Sequence, residues 1–551
     1  MLELKYPSQR LAYPFFVTML IFFLLQITYG LMIALQQVDP YFLQGILNFN
    51  VNRSTHVNLA IIWILTGLVG ALLFVGPILA KRDLARPWLA RVLLIALWAV
   101  VLVTAVTLVL AQSGIAGWAY GQPWLQEGLE FLEAGRLADV FLWIGFVILG
   151  YLILRIFPNI RQWNSLHWGL AIGLAGLATF WLFGMFFVPT LDLGEFFRWF
   201  VVHYWVEGVW EILYVSIVGF LLYTLFDADL KVVGFVVFWS VLLVVMTGLI
   251  GNGHHFFWIG TPAFWQFWGS LISALEPLPI ILGIWHVFLH PKRSHKPLAN
   301  RAAFYFIFGS ALLELVGAGI LGFTQTFSLT NVWEHGTWVT PAHAHLALFG
   351  TFGMLVLGAA YVVVPAIRGI RRFDDRLSRA AFWLLLVGIL GMMLSFALGG
   401  TIQVYIYRVL GIEWFGPVVR PAMEFWRGLL FVFGSLFAAG VIAVSYDLFT
   451  LKRRAEAAKP AAVAHEREGF AWWRRPLSVA EMGGWLGALW FIGFLLTGGL
   501  LANNLPSVRL GDPTLPYLLA SIGYPALVLV TLALAIRFLR ACEAQPSSAA
   551  D

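Results

Sequence analysis

The chain has 551 residues, of which 61% are hydrophobic and 11% charged, and its mean hydropathy is +0.85. That balance excludes an ordinary soluble core and describes a polytopic membrane protein, and a formal net charge of +6 gives no basis for a nucleic-acid partner. The single cysteine, Cys542, excludes a disulfide framework, a Cys-based zinc or iron–sulfur site, and a Cys-x-x-Cys-His attachment for a c-type heme.

The first apolar run, 11–36, is too long for a cleaved signal and lacks a cleavage site, so it is read as the first span. Runs of spanning length recur at 57–80, 89–112, 137–156, 166–189, 199–225, 231–251, 263–289, 302–323, 340–365, 380–400, 421–446, 482–502 and 515–537. The expected fold is therefore an all-α bundle of fourteen helices in a lipid bilayer. Every second loop is basic: Lys81, Arg82 and Arg86; Arg155 and Arg161; Lys292, Arg293 and Lys296; Arg368, Arg371, Arg372 and Arg376; Lys452, Arg453 and Arg454. The loop at 226–230 is the weakest case, with Asp227 and Asp229 before Lys231. The positive-inside rule then places both termini in the cytoplasm. A charged, alanine-rich segment divides the chain into a twelve-helix core at 1–450, a basic cytoplasmic linker at 451–480, and a further two-helix segment with a short tail at 481–551.

Histidines fall on this topology at particular places. His56 begins helix 2, with Arg53 one turn earlier. His203 heads the series His203, Glu207, Glu211, whose i+4 spacing puts all three on one helix face. His254 and His255 follow helix 7 in a turn flanked by Gly251 and Gly253, read as the freedom that lets both rings bend to one point. Glu276 lies well inside helix 8, where an unpaired carboxyl is suited to handing over protons. His343 and His345 open helix 10 and point about 200° apart. By the loop charges, all six histidines lie near the outer face. Polar groups in spans are expensive and tend to be functional, and imidazoles are strong ligands for iron, copper and zinc. By contrast, His286, His290 and His295 sit among Lys292 and Arg293 and read as solvated.

A consistent assignment follows. One iron porphyrin is held between His56 and His345, six-coordinate and suited to electron transfer. A second is held by His343 alone, with its far side open. Facing that side, His203, His254 and His255 make a three-histidine metal site, and Glu207, one turn from His203, can reach the same metal. A hard oxygen ligand favours iron over copper.

The stretches His203-Tyr204-Trp205-Val206-Glu207-Gly208-Val209-Trp210-Glu211, Gly251-Asn252-Gly253-His254-His255, Glu276-Pro277, and His335-Gly336-Thr337 through His343-Ala344-His345 resemble the catalytic subunits of the heme-copper oxidase superfamily, and within it the nitric oxide reductases. The resemblance covers helices 1 to 12. It implies a low-spin heme b on His56 and His345, a high-spin heme b on His343, and a non-heme iron on His203, His254 and His255. It also implies joining of two NO molecules into N2O, with Glu207, Glu211 and Glu276 as the carboxylates of the site and Arg53 paired with a heme propionate. The loop Glu130-Phe131-Leu132-Glu133 resembles the family's acidic segment, in which the first glutamate helps hold a calcium ion and the second belongs to an outer proton route. Leu129 stands where relatives often have arginine, and residues 74–77 lack the tyrosines usual after helix 2. Quinol-using relatives carry a fused outer domain after helix 1, where this chain has only residues 38–53. The implied electron donor is therefore a membrane-anchored cytochrome c subunit, and the implied location is a bacterial inner membrane.

Two other readings stay open. A terminal oxidase reducing oxygen at a heme–copper centre would share the three histidines, but usually carries a tyrosine cross-linked to one of them. Here Tyr204 directly follows His203, and Glu207 stands where such a tyrosine could be. A transporter or heme-carrying assembly subunit is a different class, and three additional histidines facing an open heme argue against it.

Overall fold

In a bilayer the free N–H groups of a helix start have no water to meet, so capping side chains matter. Asparagine supplies them repeatedly. The side-chain oxygen of Asn48 accepts from Val51 N at 2.9 Å, that of Asn164 from His167 N at 3.2 Å, and that of Asn300 from Ala303 N at 3.0 Å. The computed structural model describes residues 2–112, 124, 134–185, 190–226, 228, 230–277, 300–413, 418–457 and 514–543.

Among the described residues, eleven helices are long and apolar enough to cross a membrane. They are α1 (Pro7–Val38), α2 (Phe49–Ala80), α3 (Trp88–Leu108), α4 (Gly135–Leu154), α5 (Ser165–Gly184), α6 (Leu191–Leu225), α7 (Leu230–His255), and, past the shorter α8 (Ala263–Ser273), α9 (Arg301–Gln325). After the short α10 (Ser328–Glu334) come α11 (Val339–Arg368), α12 (Arg376–Val409) and α13 (Val419–Leu451). The final described helix is α14 (Thr514–Glu543). The second half of the expected span 263–289, and all of 482–502, lie outside the described residues.

Helices α2, α6, α9 and α11 are enclosed, whereas α3 and α4 turn Ile95, Leu102, Val106 and Phe141 outward. An apolar outward face is what lipid requires of a peripheral helix. At one end the N-terminal residues, the loop after α2 and the loop after α11 come together. There Ser8 N donates to Asp83 Oδ1 at 3.2 Å, Arg371 pairs with Glu3 at 3.2 Å, and Arg368 reaches the Tyr13 hydroxyl and the Phe449 carbonyl.

Of the boundaries that differ from the hydropathy reading, two bear on the site and the domain division. Helix α2 starts at Phe49 rather than 57, so His56 lies inside the helix. The polar stretch is helical because its polar groups find partners on α1: Asn52 donates to Gln36 Oε1 at 2.9 Å, and Gln36 donates to the Phe42 and Leu47 carbonyls. Beyond residue 450 the last core helix runs on to Ala457 before the described residues stop. Helix α14 lies along α12, where Tyr524, Leu527 and Ala535 are buried in the same apolar cluster as the other helices.

Candidate metal centre

Residues Phe200–Trp210 of α6 wind as a π-helix, and so do Thr247–Gly251 of α7, which then tightens into a 3-10 turn over Asn252–His255. Such turns displace the chain locally and recur at functional sites. Here they bring two helices into register. His203 Nδ1 lies 2.8 Å from Glu207 Oε2 and 3.0 Å from His255 Nε2. His203, Glu207, His254 and His255 each offer a ligand atom, all within 4.8 Å of one another. Ligands bonded at about 2 Å to one ion stand about 3–4 Å apart, so small side-chain rotations would close this set on a metal.

The second ring nitrogens of His254 and His203 also have partners. His254 Nδ1 is 3.0 Å from Ser273 Oγ, and His203 Nε2 faces the Thr247 carbonyl at 3.5 Å. Trp199 stacks on the His255 ring, with centroids 4.0 Å apart and planes 8° from parallel. Outer partners of this kind fix which nitrogen faces a metal. The glycines around His254 have a different cause from the freedom read in the sequence. A Cβ on Gly253 would run into the Trp265 carbonyl, and one on Gly251 into Ser273 Oγ. They are there so that α8 can approach α7.

The other three histidines share one feature. His56 Nδ1 donates to the Gln26 carbonyl at 3.0 Å, His343 Nδ1 to the Gly317 carbonyl at 2.8 Å, and His345 Nδ1 to the Pro341 carbonyl at 2.8 Å. Each is thus held in the tautomer whose Nε2 is free for a metal. The rings of His56 and His345 face one another with centroids 6.2 Å apart and 28° between planes. That gap suits one ion at about 2 Å from each nitrogen. The Gln26 amide nitrogen, 3.3 Å from His56 Nε2, would swing aside for it. His343 lies on the other side of α11, close enough to act electrostatically on Glu207, His254 and His255.

Gly317 holds this arrangement together. A Cβ there would stand 2.5 Å from Leu346 Cβ, so the α9–α11 crossing that carries the His343 bond needs glycine. Gly317→Val is expected to cost about 1–3 kcal/mol through overpacking. It should also disturb the spectrum of a heme on His343 before that of one on His56 and His345, as optical spectroscopy of the reduced protein would reveal.

The carboxylates divide. Glu207 is half-buried at the metal cluster. Glu276 accepts from Thr247 Oγ1 at 3.2 Å and is hydrogen-bonded to the buried Glu211. Glu211 therefore belongs with Glu276, outside the four-ligand set. Arg53 is half-buried one turn before His56, while Glu130 and Glu133 lie outside the described residues. Sequence reasoning passed over Glu314, which is 2% exposed on the π-helical stretch Glu314–Leu321 and hydrogen-bonded to Tyr214. Its one signal was a lone carboxylate inside an apolar run. It also passed over Glu334, on the loop side of the site, whose carboxyl burial pushes up to about 8. Beside it, burial and then the Arg408 charge hold the His335 imidazole below its usual range, and Trp258 stacks on that ring at 4.8 Å.

Comparison with known proteins agrees with this architecture. The family described as Cytochrome C and Quinol oxidase polypeptide I matches residues 10–436. A nitric oxide reductase subunit of Stutzerimonas stutzeri is 32% identical over 455 residues, which is 81% of this chain and 95% of that protein. The Cbb3-type cytochrome c oxidase subunit CcoN1 of the same organism is 25% identical over 201 residues, 35% of this chain and 38% of that one. Among solved structures, a heme-copper terminal oxidase dimer determined by cryo-EM has the same fold, with a TM-score of 0.62 at 16% identity over 94% of each chain. The chain therefore belongs to the Cytochrome C and Quinol oxidase polypeptide I family, the heme-copper oxidoreductases that carry hemes and a metal centre in a helical membrane bundle.

Proposed function

We propose that this chain is the catalytic subunit of a membrane-bound nitric oxide reductase, which joins two NO molecules, two electrons and two protons into N2O and water. The observation that carries the reading is Glu207 Oε2, 2.8 Å from His203 Nδ1 and within the three-histidine cluster. Three neutral imidazoles leave the charge of a divalent ion uncompensated in a low-dielectric site. A carboxylate offsets it and supplies the hard ligand that favours iron over copper. The likeness to the Stutzerimonas stutzeri nitric oxide reductase supports the same choice.

In this reading His56 and His345 hold a low-spin heme b, His343 holds a high-spin heme b, and His203, Glu207, His254 and His255 hold a non-heme iron. When bound, the heme on His343 and the non-heme iron supply electrons and Lewis acidity to two NO molecules held side by side. The chain's own side chains do the rest. Arg53 pairs with a heme propionate. Thr247 fixes the Glu276 carboxyl, and Glu211 shares a proton with it, so that the pair stands ready beside the site. Calcium at Glu130 belongs to the same reading and rests on the sequence. The electron donor is a membrane-anchored cytochrome c subunit, docked at the histidine end. The complex sits in a bacterial inner membrane with both termini on the cytoplasmic side, and the residues beyond 450 form an addition to the catalytic core.

The competing reading is an oxygen-reducing terminal oxidase. It would want a tyrosine beside a metal histidine. Tyr204 instead packs its ring 3.9 Å from Phe180, against Gly208 and Gly248. The test is elemental analysis and gas consumption on the purified complex. Two b hemes and one non-heme iron per chain, a c heme on a second subunit, and steady NO consumption are expected. Stoichiometric copper with oxygen reduction alone would overturn the proposal.

A further inference from the structure

Below the metal cluster a line of buried polar side chains continues into the bundle. Chain direction places it. Helix α6 runs inward from His203 through Glu207 and Glu211 to Tyr214, and α9 runs outward from Ser310 through Glu314 to Gly317. Tyr214 is hydrogen-bonded to Glu314, and Ser310 Oγ lies 3.1 Å from the Tyr214 hydroxyl and 2.6 Å from the Thr351 carbonyl. Glu314, Tyr214 and Ser310 are 2%, 3% and 0% exposed. Glu314 Oε1 has no partner among the described residues, and neither do Trp210 Nε1 and Thr351 Oγ1 on neighbouring turns. Buried orphan groups of this kind are where proteins hold internal water. Glu314 also lies within electrostatic reach of Glu276 and Glu211. Nothing cationic is paired with it among the described residues, so a salt bridge does not explain a carboxyl at this depth.

We propose that Glu314 is a proton-holding residue that acts through Glu211 and Glu276, refilled through Tyr214 and Ser310. In one cycle the Glu314 carboxyl releases a proton toward Glu211 or Glu276, directly or across a water, and becomes a carboxylate. The Tyr214 hydroxyl then passes its proton to Glu314 while taking one from Ser310, and Ser310 takes one from internal water beside the unpartnered Thr351 Oγ1. No heavy-atom bond and no electron moves in these steps. The rate test rests on the NO-reductase reading, and the spectroscopic test does not.

The experiment uses the full complex and three variants, Glu314→Gln, Glu314→Asp and Tyr214→Phe, with optical heme spectra as the folding control. Glu314→Gln should abolish one carboxylic C=O band in the redox-induced infrared difference spectrum that shifts in D2O in the wild type. It should slow turnover by about 10-fold or more, short of the ~10²–10⁴ of a group passing its proton directly to the reactant. Glu314→Asp should restore part of both, and Tyr214→Phe should shift the band and slow turnover. An intact band with wild-type turnover in Glu314→Gln overturns the proposal. So does equal impairment of the Gln and Asp variants with the band unmoved, the mark of a merely structural role. If Glu314→Gln assembles no heme, Tyr214→Phe decides, and an unshifted band at full rate overturns it. A wild-type protein that shows the band yet consumes no NO counts against the function proposed above and leaves this inference standing.

Discussion

Glu207→Gln is expected to leave both heme spectra in place while the non-heme iron is weakened or lost and NO reduction collapses. Replacing an outer partner of a metal ligand typically lowers affinity 10–100-fold, so loss of a direct ligand should cost ~100-fold or more in metal retention. Glutamine keeps the size and one oxygen, which isolates the charge. With the carboxylate gone, His203 Nδ1 and His255 Nε2 would face a divalent ion with no anion among the four donors. Glu276→Gln should differ, keeping the metal and slowing proton-coupled turnover, because Glu276 reaches Thr247 and Glu211 and stands outside the four-ligand set. Iron and heme counts on the two purified variants, with NO consumption, make the comparison. Full iron and full activity in Glu207→Gln would remove the main support for a reductase over an oxidase.

His345→Ala and His343→Ala should give distinct optical and paramagnetic signatures, although the two residues are two positions apart. His345 faces His56 at 6.2 Å between ring centroids and also lies 4.9 Å from the Phe396 ring. Its loss should remove the low-spin signal and leave the three-histidine metal. His343, hung from the Gly317 carbonyl, faces the cluster on the other side of α11. Its loss should disturb the high-spin signal alone. Identical spectra for the two variants would mean that both histidines serve one centre.

Loop charge, hydropathy and histidine spacing were enough to read an all-helical membrane bundle from the residues. The opposite directions of His343 and His345 needed only a helix and a separation of two. The π-helical stretches were invisible, because a π turn and an α turn draw on the same apolar residues and differ only in which carbonyl each N–H chooses. The spacing His203, Glu207, Glu211 put three groups on one face, but that Glu211 is hydrogen-bonded to Glu276 of a later segment comes from tertiary packing. Gly253 was legible as special but not for its reason, since the helix that crowds it lies later in the chain. Glu314 had no histidine or charge nearby in sequence, and its partners Tyr214 and Ser310 are supplied by tertiary packing alone.

The π stretches at 200–210, 247–251, 314–321 and 346–353 sit in the four helices that meet at the centre. Each acts as a phase joint. In α6 the joint itself carries His203 and Glu207, in α7 and α11 the histidines lie just beyond one end of it, and past the other end the same helix presents a rotated face to its neighbours. The two halves can then drift separately under mutation. Away from the polar line of Glu211, Tyr214 and Ser310, substitutions on the inner half are constrained by volume and shape and those on the outer half by ligand chemistry, and a one-residue deletion within a joint would misalign the halves.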